Sequence, residues 1–135
     1  MKTKHLLLIV AAICAAAFSS CKKYEDGPRL SLHSKKARLV NVWKYDHVTQ
    51  NGTDVTASYV NRFVEFKKGG NYIITYGQFA DAGTWQFASD KDDIVLSESN
   101  SSSAITWHIL KLKNKELWLS EQDGSRTYEY RLLPK

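Results

Sequence analysis

The chain has 135 residues, 12% of them aromatic, with two cysteines, two prolines and a formal net charge of +5. That length suits one domain, and two cysteines are too few for a disulfide-built scaffold. The positive charge is no argument for nucleic-acid binding, which requires the cations on a folded face, whereas here the excess lies towards the N-terminus.

Met1 to His5 form a short basic segment, and 13 apolar residues follow from Leu6 to Phe18, ending at the small residues Ser19 and Ser20. Basic start, apolar middle and small-residue end are the parts of a secretory signal. A spanning helix needs roughly 20 apolar residues, which disfavours a permanent span. Ser19-Ser20-Cys21 resembles the lipobox of bacterial lipoproteins. The resemblance implies a signal peptide over 1–20, cleavage between Ser20 and Cys21, and lipid (diacylglycerol and palmitate-type chains) on Cys21, whose thiolate is the nucleophile. The competing cleavage site is Ala15-Ala16-Ala17, which would leave Cys21 without lipid. Cys14 is set aside as the lipid carrier because bulky Ile13 precedes it. With Cys14 in the removed segment, Cys21 has no cysteine to pair with, and acylation gives it a use.

Residues 21–33 read as a lipidated tether, with Gly27-Pro28 and little periodicity, and residues 34–135 as the folded domain. From Lys22 to Arg38 six cations face two anions, and from Leu39 to Lys135 11 cations face 12 anions. The folded part is therefore expected to be near neutral, with the basic excess beside the anchor. There each Lys or Arg close to an anionic membrane adds about 1 kcal/mol of attraction; a solvated linker is the alternative.

Ser34 can cap a short helical stretch, Lys35 to Asn41. Eight β-strands are then predicted. They are Val42 to Gln50, Asn61 to Lys67, Tyr72 to Tyr76, Gly83 to Phe87, Ile94 to Ser97, Ile105 to Leu112, Glu116 to Ser120 and Thr127 to Leu132. Turn signals separate them: Asn51-Gly52, Gly69-Gly70, Asp90 to Asp93, Ser99 to Ser103, Lys113 to Lys115 and Asp123-Gly124. Residues 53–60 are left as a loop or one helical turn. Val64 shares a face with Phe66, Trp85 with Phe87, Leu117 with Leu119, and Tyr128 with Tyr130. With no long helix to cover that apolar face, a closed sheet removes both the exposed face and the edges. The expected fold is all-β, a small eight-stranded antiparallel up-and-down barrel with a short helical turn before the first strand.

Ser34 to Lys44, the hairpin Phe63 to Tyr72, Gly83-Thr84-Trp85-Gln86-Phe87 and Ile109-Leu110-Lys111-Leu112 together resemble the lipocalin-like lipoproteins of Bacteroidota. The resemblance implies a lipid-anchored protein of the cell envelope, at the outer membrane, on either face. It also implies that Trp43 packs at the closed end of the barrel under a basic residue from near the last strand. Arg131 is the candidate and Arg126 the alternative.

Enzyme signatures are missing: there is no phosphate loop, Gly-x-Ser-x-Gly or His-Glu-x-x-His, and no cofactor motif. His33, His47 and His108 lack metal-ligand spacing, and Asp90, Asp92 and Asp93 lack the later ligands of a calcium loop. The expectation is a protein that is not an enzyme and carries no metal. The lead is the aromatic content. Phe66, Trp85, Phe87, Tyr128 and Tyr130 are the candidate wall of a ligand pocket, or else they fill the barrel, since eight strands are just wide enough for either. The expected partners are the membrane, through Cys21, and a small apolar or amphipathic ligand, with no nucleic acid. The alternative is an interaction module that meets a protein or glycan through exposed aromatics.

Overall fold

The computed structural model describes residues 32–135. The expected signal, cleavage between Ser20 and Cys21, lipidation of Cys21 and tether up to residue 31 lie outside the described residues.

The described chain is an antiparallel barrel. After a short helix, α1 (Lys35–Leu39), come β1 (Val42–Gln50), β2 (Thr53–Asp54), a 3-10 turn (Thr56–Tyr59), β3 (Arg62–Phe66), β4 (Asn71–Tyr76) and β5 (Phe79–Phe87). Then follow β6 (Asp93–Glu98), β7 (Ala104–Leu112), β8 (Leu117–Asp123) and β9 (Arg126–Pro134). Each strand from β3 to β9 pairs with its neighbour in sequence, β3 pairs with β1, and β9 returns to β1, closing the ring. Two-residue β2 pairs only the end of β1, so eight strands make the barrel, in the expected up-and-down order. β5 begins at Phe79, four residues before Gly83, because Gly77-Gln78 makes a two-residue turn with Gly77 at φ +62°. That left-handed backbone costs glycine no steric strain.

Two bulges set which side chains face inward. The β1–β9 register shifts between Tyr45 and His47, so the inward series runs Trp43, Tyr45, Val48. The β7–β8 register shifts between Ile109 and Lys111, which turns Leu112 inward and Lys111 out onto Trp118. One extra residue in a strand re-aims everything after it.

The closed end lies at α1. Ser34 Oγ accepts from Ala37 N–H at 3.1 Å, an N-cap. Trp43 is fully buried, and its indole Nε1–H donates to the Leu39 carbonyl at 2.8 Å. Trp85 Nε1–H donates to the Lys67 carbonyl at 3.0 Å. Phe66, Trp85 and Phe87 pack edge-to-face around them, with Phe66–Trp85 centroids 5.6 Å apart and Trp85–Phe87 5.5 Å. Each indole N–H buried here has found an acceptor, which removes the cost of burying an unpaired donor.

Arg131 is not the residue over Trp43. It lies between inward Tyr130 and Leu132, so strand alternation points it outward, where its guanidinium sits 4.4 Å from the Trp118 ring. Lys111 Nζ lies 3.8 Å from the centroid of the same ring. Arg126 is exposed at the start of β9, paired with Asp123, at the opposite end from Trp43. Among the described residues no helix is long and apolar enough to cross a membrane.

Candidate functional site

Inward-facing residues change character along the barrel. In the half nearest α1 they are sealed: Val64, Phe66, Tyr72, Ile94, Leu117 and Leu119 are all buried. Towards the other end the same inward series continues with Ile74, Tyr76, Glu98, Ile105, Glu121 and Tyr128, each only half-buried. The barrel is packed at one end and opens to solvent as an aromatic, acidic mouth at the other.

The mouth is built from side chains of the barrel strands and the 3-10 turn. Tyr130 and Tyr128 of β9 stack with ring centroids 5.9 Å apart. Tyr45 of β1 and Tyr59 of the 3-10 turn lie against Tyr130, at 5.6 and 5.9 Å. The 3-10 turn is pinned to β1: Val48 N–H donates to Thr56 Oγ1 at 3.0 Å, and Val55 N–H to the Val48 carbonyl at 2.9 Å. Thr56 N–H is capped by Asp54 at 2.8 Å. The ambiguous segment 53–60 is thus an ordered arm that holds Tyr59 over the mouth.

Glu121 of β8 supplies the central charge. Its Oε2 accepts from both Trp107 Nε1–H and the Tyr130 hydroxyl, each at 2.8 Å. Burial pushes the Tyr130 hydroxyl far above the ordinary phenol range and the Glu121 carboxylate pushes it further; burial does the same to Tyr45. Both phenols therefore stay neutral, and Tyr130 stays a donor. On the opposite wall Tyr76 donates to Asp81 at 2.9 Å. Burial raises the Tyr72 phenol above its ordinary value, and the nearby Glu98 and Asp81 carboxylates add to it. Arg62 is the cation within this group, 4.4 Å from the Tyr59 ring and 5.9 Å from the Tyr76 ring. At the rim Phe79 is 70% and Val60 67% exposed, and Phe79 stacks on Tyr76.

The five sequence-derived wall candidates separate into two places. Phe66, Trp85 and Phe87 fill the closed half. Tyr128 and Tyr130 line the mouth, linked to the first group through Trp107, which meets Phe66 at 6.3 Å and Tyr130 at 5.8 Å. Glu121, Asp81 and Glu98 were missed, although a signal was present. Each continues an inward alternation, from Leu117-Leu119 to 121, from Gly83 back to 81, and from Leu96 to 98.

The aspartates of 90–93 do not converge. Asp90 caps the Asp92 amide at 2.9 Å, Asp92 pairs with Lys35 at 3.3 Å, and Asp93 meets His108 Nδ1 at 2.6 Å. Among the described residues no group of three His, Cys, Asp or Glu could hold a metal. A shallow outer groove of about 550 Å³ includes Asp93, His108 and Ser120, neighbours across three strands. No side-chain hydrogen bond joins Ser120 to His108 among the described residues, so the two side chains are not arranged as a nucleophile and its base.

Compared with known proteins, the chain matches no family model, and none of the curated proteins is significantly similar to it.

Proposed function

We propose that this chain is a lipid-anchored, non-catalytic binding barrel of the bacterial cell envelope, and that its mouth takes a small amphipathic ligand carrying a positive charge. The observation that carries this reading is the position of Glu121. A half-buried carboxylate, held by Trp107 and Tyr130, sits where the apolar packing stops and solvent begins. Ile74, Ile105 and the tyrosine faces offer an apolar wall beside Glu121, Asp81 and Glu98. An alkylammonium group suits that lining, because aromatic faces and carboxylates both attract a cation.

Hexyltrimethylammonium should bind and shift the Trp107 indole N–H resonance, while hexanoate should not. Glu121→Gln should weaken that binding about tenfold, or about 1.4 kcal/mol, which lies between the attraction of one charge pair in water and at a protein surface. Absence of any shift with the cation would refute the mouth as a ligand site. A second reading is supported by Phe79 and Val60, whose exposed apolar surface would suit a protein or glycan resting on the rim. Phe79→Ser would remove that contact and leave alkylammonium binding in place.

The anchor rests on Ser19-Ser20-Cys21. Cys21→Ser should release the protein from the membrane fraction and block processing. Recovery of the unaltered protein as an unlipidated chain beginning at Phe18 would sink this part of the proposal.

A further inference from the structure

The near-neutral total from Leu39 onward conceals a strong separation of charge. Of the 11 Lys and Arg in that stretch, nine lie in the half of the barrel nearest α1, where six carboxylates accompany them, and Lys35, Lys36 and Arg38 of α1 add three more cations at that end. The mouth half holds two cations, Arg62 and Arg126, and six carboxylates. Six of the closed-end cations stand at the ends of strands and the tips of turns, all exposed: Lys67 and Lys68 after β3, Lys113 and Lys115 after β7, Lys135 after β9, and Lys91 after β5, where Asp90, Asp92 and Asp93 outnumber it. Lys68 and Lys115 form no ion pair among the described residues. The described chain also enters the barrel at this end, through α1.

We propose that the closed end is a docking surface for an anionic lipid bilayer, so that the barrel stands on the membrane with its mouth turned away. Three observations converge on this occupant. The lysines come from separate turns and form a broad base, which suits a flat field of head groups better than a groove-bound partner. The chain leading to Cys21 leaves from the same end, so a tether fixed in the membrane brings this base, and not the acidic mouth, to the surface. The mouth carboxylates would be repelled by the same head groups, which sets the orientation and not just the affinity. Each cation near an anionic surface multiplies partitioning about fivefold. The placement goes beyond the anchor proposed above, and it is tested without lipid on Cys21, so the two fail separately.

The test uses residues 22–135, which contain every buried core residue of the barrel, and vesicles of phosphatidylglycerol or of phosphatidylcholine in sedimentation. The protein should bind the former and not the latter, and about 0.5 M salt should release it. Lys68→Glu with Lys115→Glu should weaken binding at least about tenfold while leaving the β-sheet circular dichroism intact, and Arg126→Glu at the mouth should leave binding unchanged. An unaffected double variant would mean that the tether alone binds, and would overturn the proposal. So would equal weakening by Arg126→Glu, failure to bind phosphatidylglycerol, or tighter binding to heparin than to the vesicles, which would make the partner a soluble polyanion.

Discussion

Trp43→Ala should lower the unfolding free energy by about 3–5 kcal/mol, the range for deleting a large buried aromatic. The indole is fully enclosed, and its removal also leaves the Leu39 carbonyl without its donor. That carbonyl belongs to the last residue of α1, so the lid of the closed end loses its attachment together with its packing. Trp118 provides the internal comparison. It lies on the outer wall under Lys111 and Arg131, where a cation–π contact is worth about 0.5–1 kcal/mol. Trp118→Ala and Arg131→Ala should each cost about 1 kcal/mol. Denaturant melts of the three variants check the order. A nearly neutral Trp43→Ala would show that the closed end is not sealed by that residue.

Gly83→Ala should be almost as damaging, for the opposite reason. Gly83 is buried in β5, and an added Cβ would press into the Ser97 carbonyl of β6, 2.9 Å from its carbon and 2.8 Å from Tyr72 Cε1. The obstruction is backbone, which cannot rotate aside, so β5 and β6 must part. Overpacking of this kind costs about 3 kcal/mol or more when the main chain has to move. Gly69→Ala is the control: its new Cβ would meet just Asn71 Oδ1, at an ordinary 3.7 Å. Equal melting midpoints for the Gly83 and Gly69 variants would contradict this account.

The strands were legible because their residues alternate and because Asn51-Gly52, Gly69-Gly70 and Gly124 mark the turns. Asn51, Gly52, Gly70 and Gly124 do take positive φ. The start of β5 was not legible, because Phe79-Ala80-Asp81-Ala82 has little apolar contrast between its two faces. Leu133 and Pro134 were missed as strand because proline lacks the amide proton that most of a ladder requires; here Pro134 lies at the strand's end, opposite Trp43. The pairing of the first and last strands places Arg131 near the closed end, but alternation with buried Tyr130 and Leu132 on either side of it turns its side chain outward. The bulges after Tyr45 and after Ile109 have no signature in residue type, and both shift the inward series. The acidic mouth carries no apolar signal: the inward alternation passes from Leu119 to Glu121 and from Leu96 to Glu98, so it continues in residues that hydropathy alone assigns to the surface.

The seam between β1 and β9 is an antiparallel ladder with one register shift, between Tyr45 and His47, extended at one end by Lys135 N–H donating to the Val42 carbonyl at 3.0 Å and at the other by Asn51 and Thr127. The β7–β8 pairing carries a shift of the same kind, so closure of the ring rests on the same main-chain pairing as its other seams. Joining residue 135 to the start of α1 and opening the chain within the polar turn 99–103 would preserve every ladder. It would also move the free chain end from the sealed end to the rim. Were the proposed anchor carried by that new end, the same barrel would turn the carboxylates of its mouth towards the membrane. Connectivity here determines very little of the architecture and most of its polarity in space.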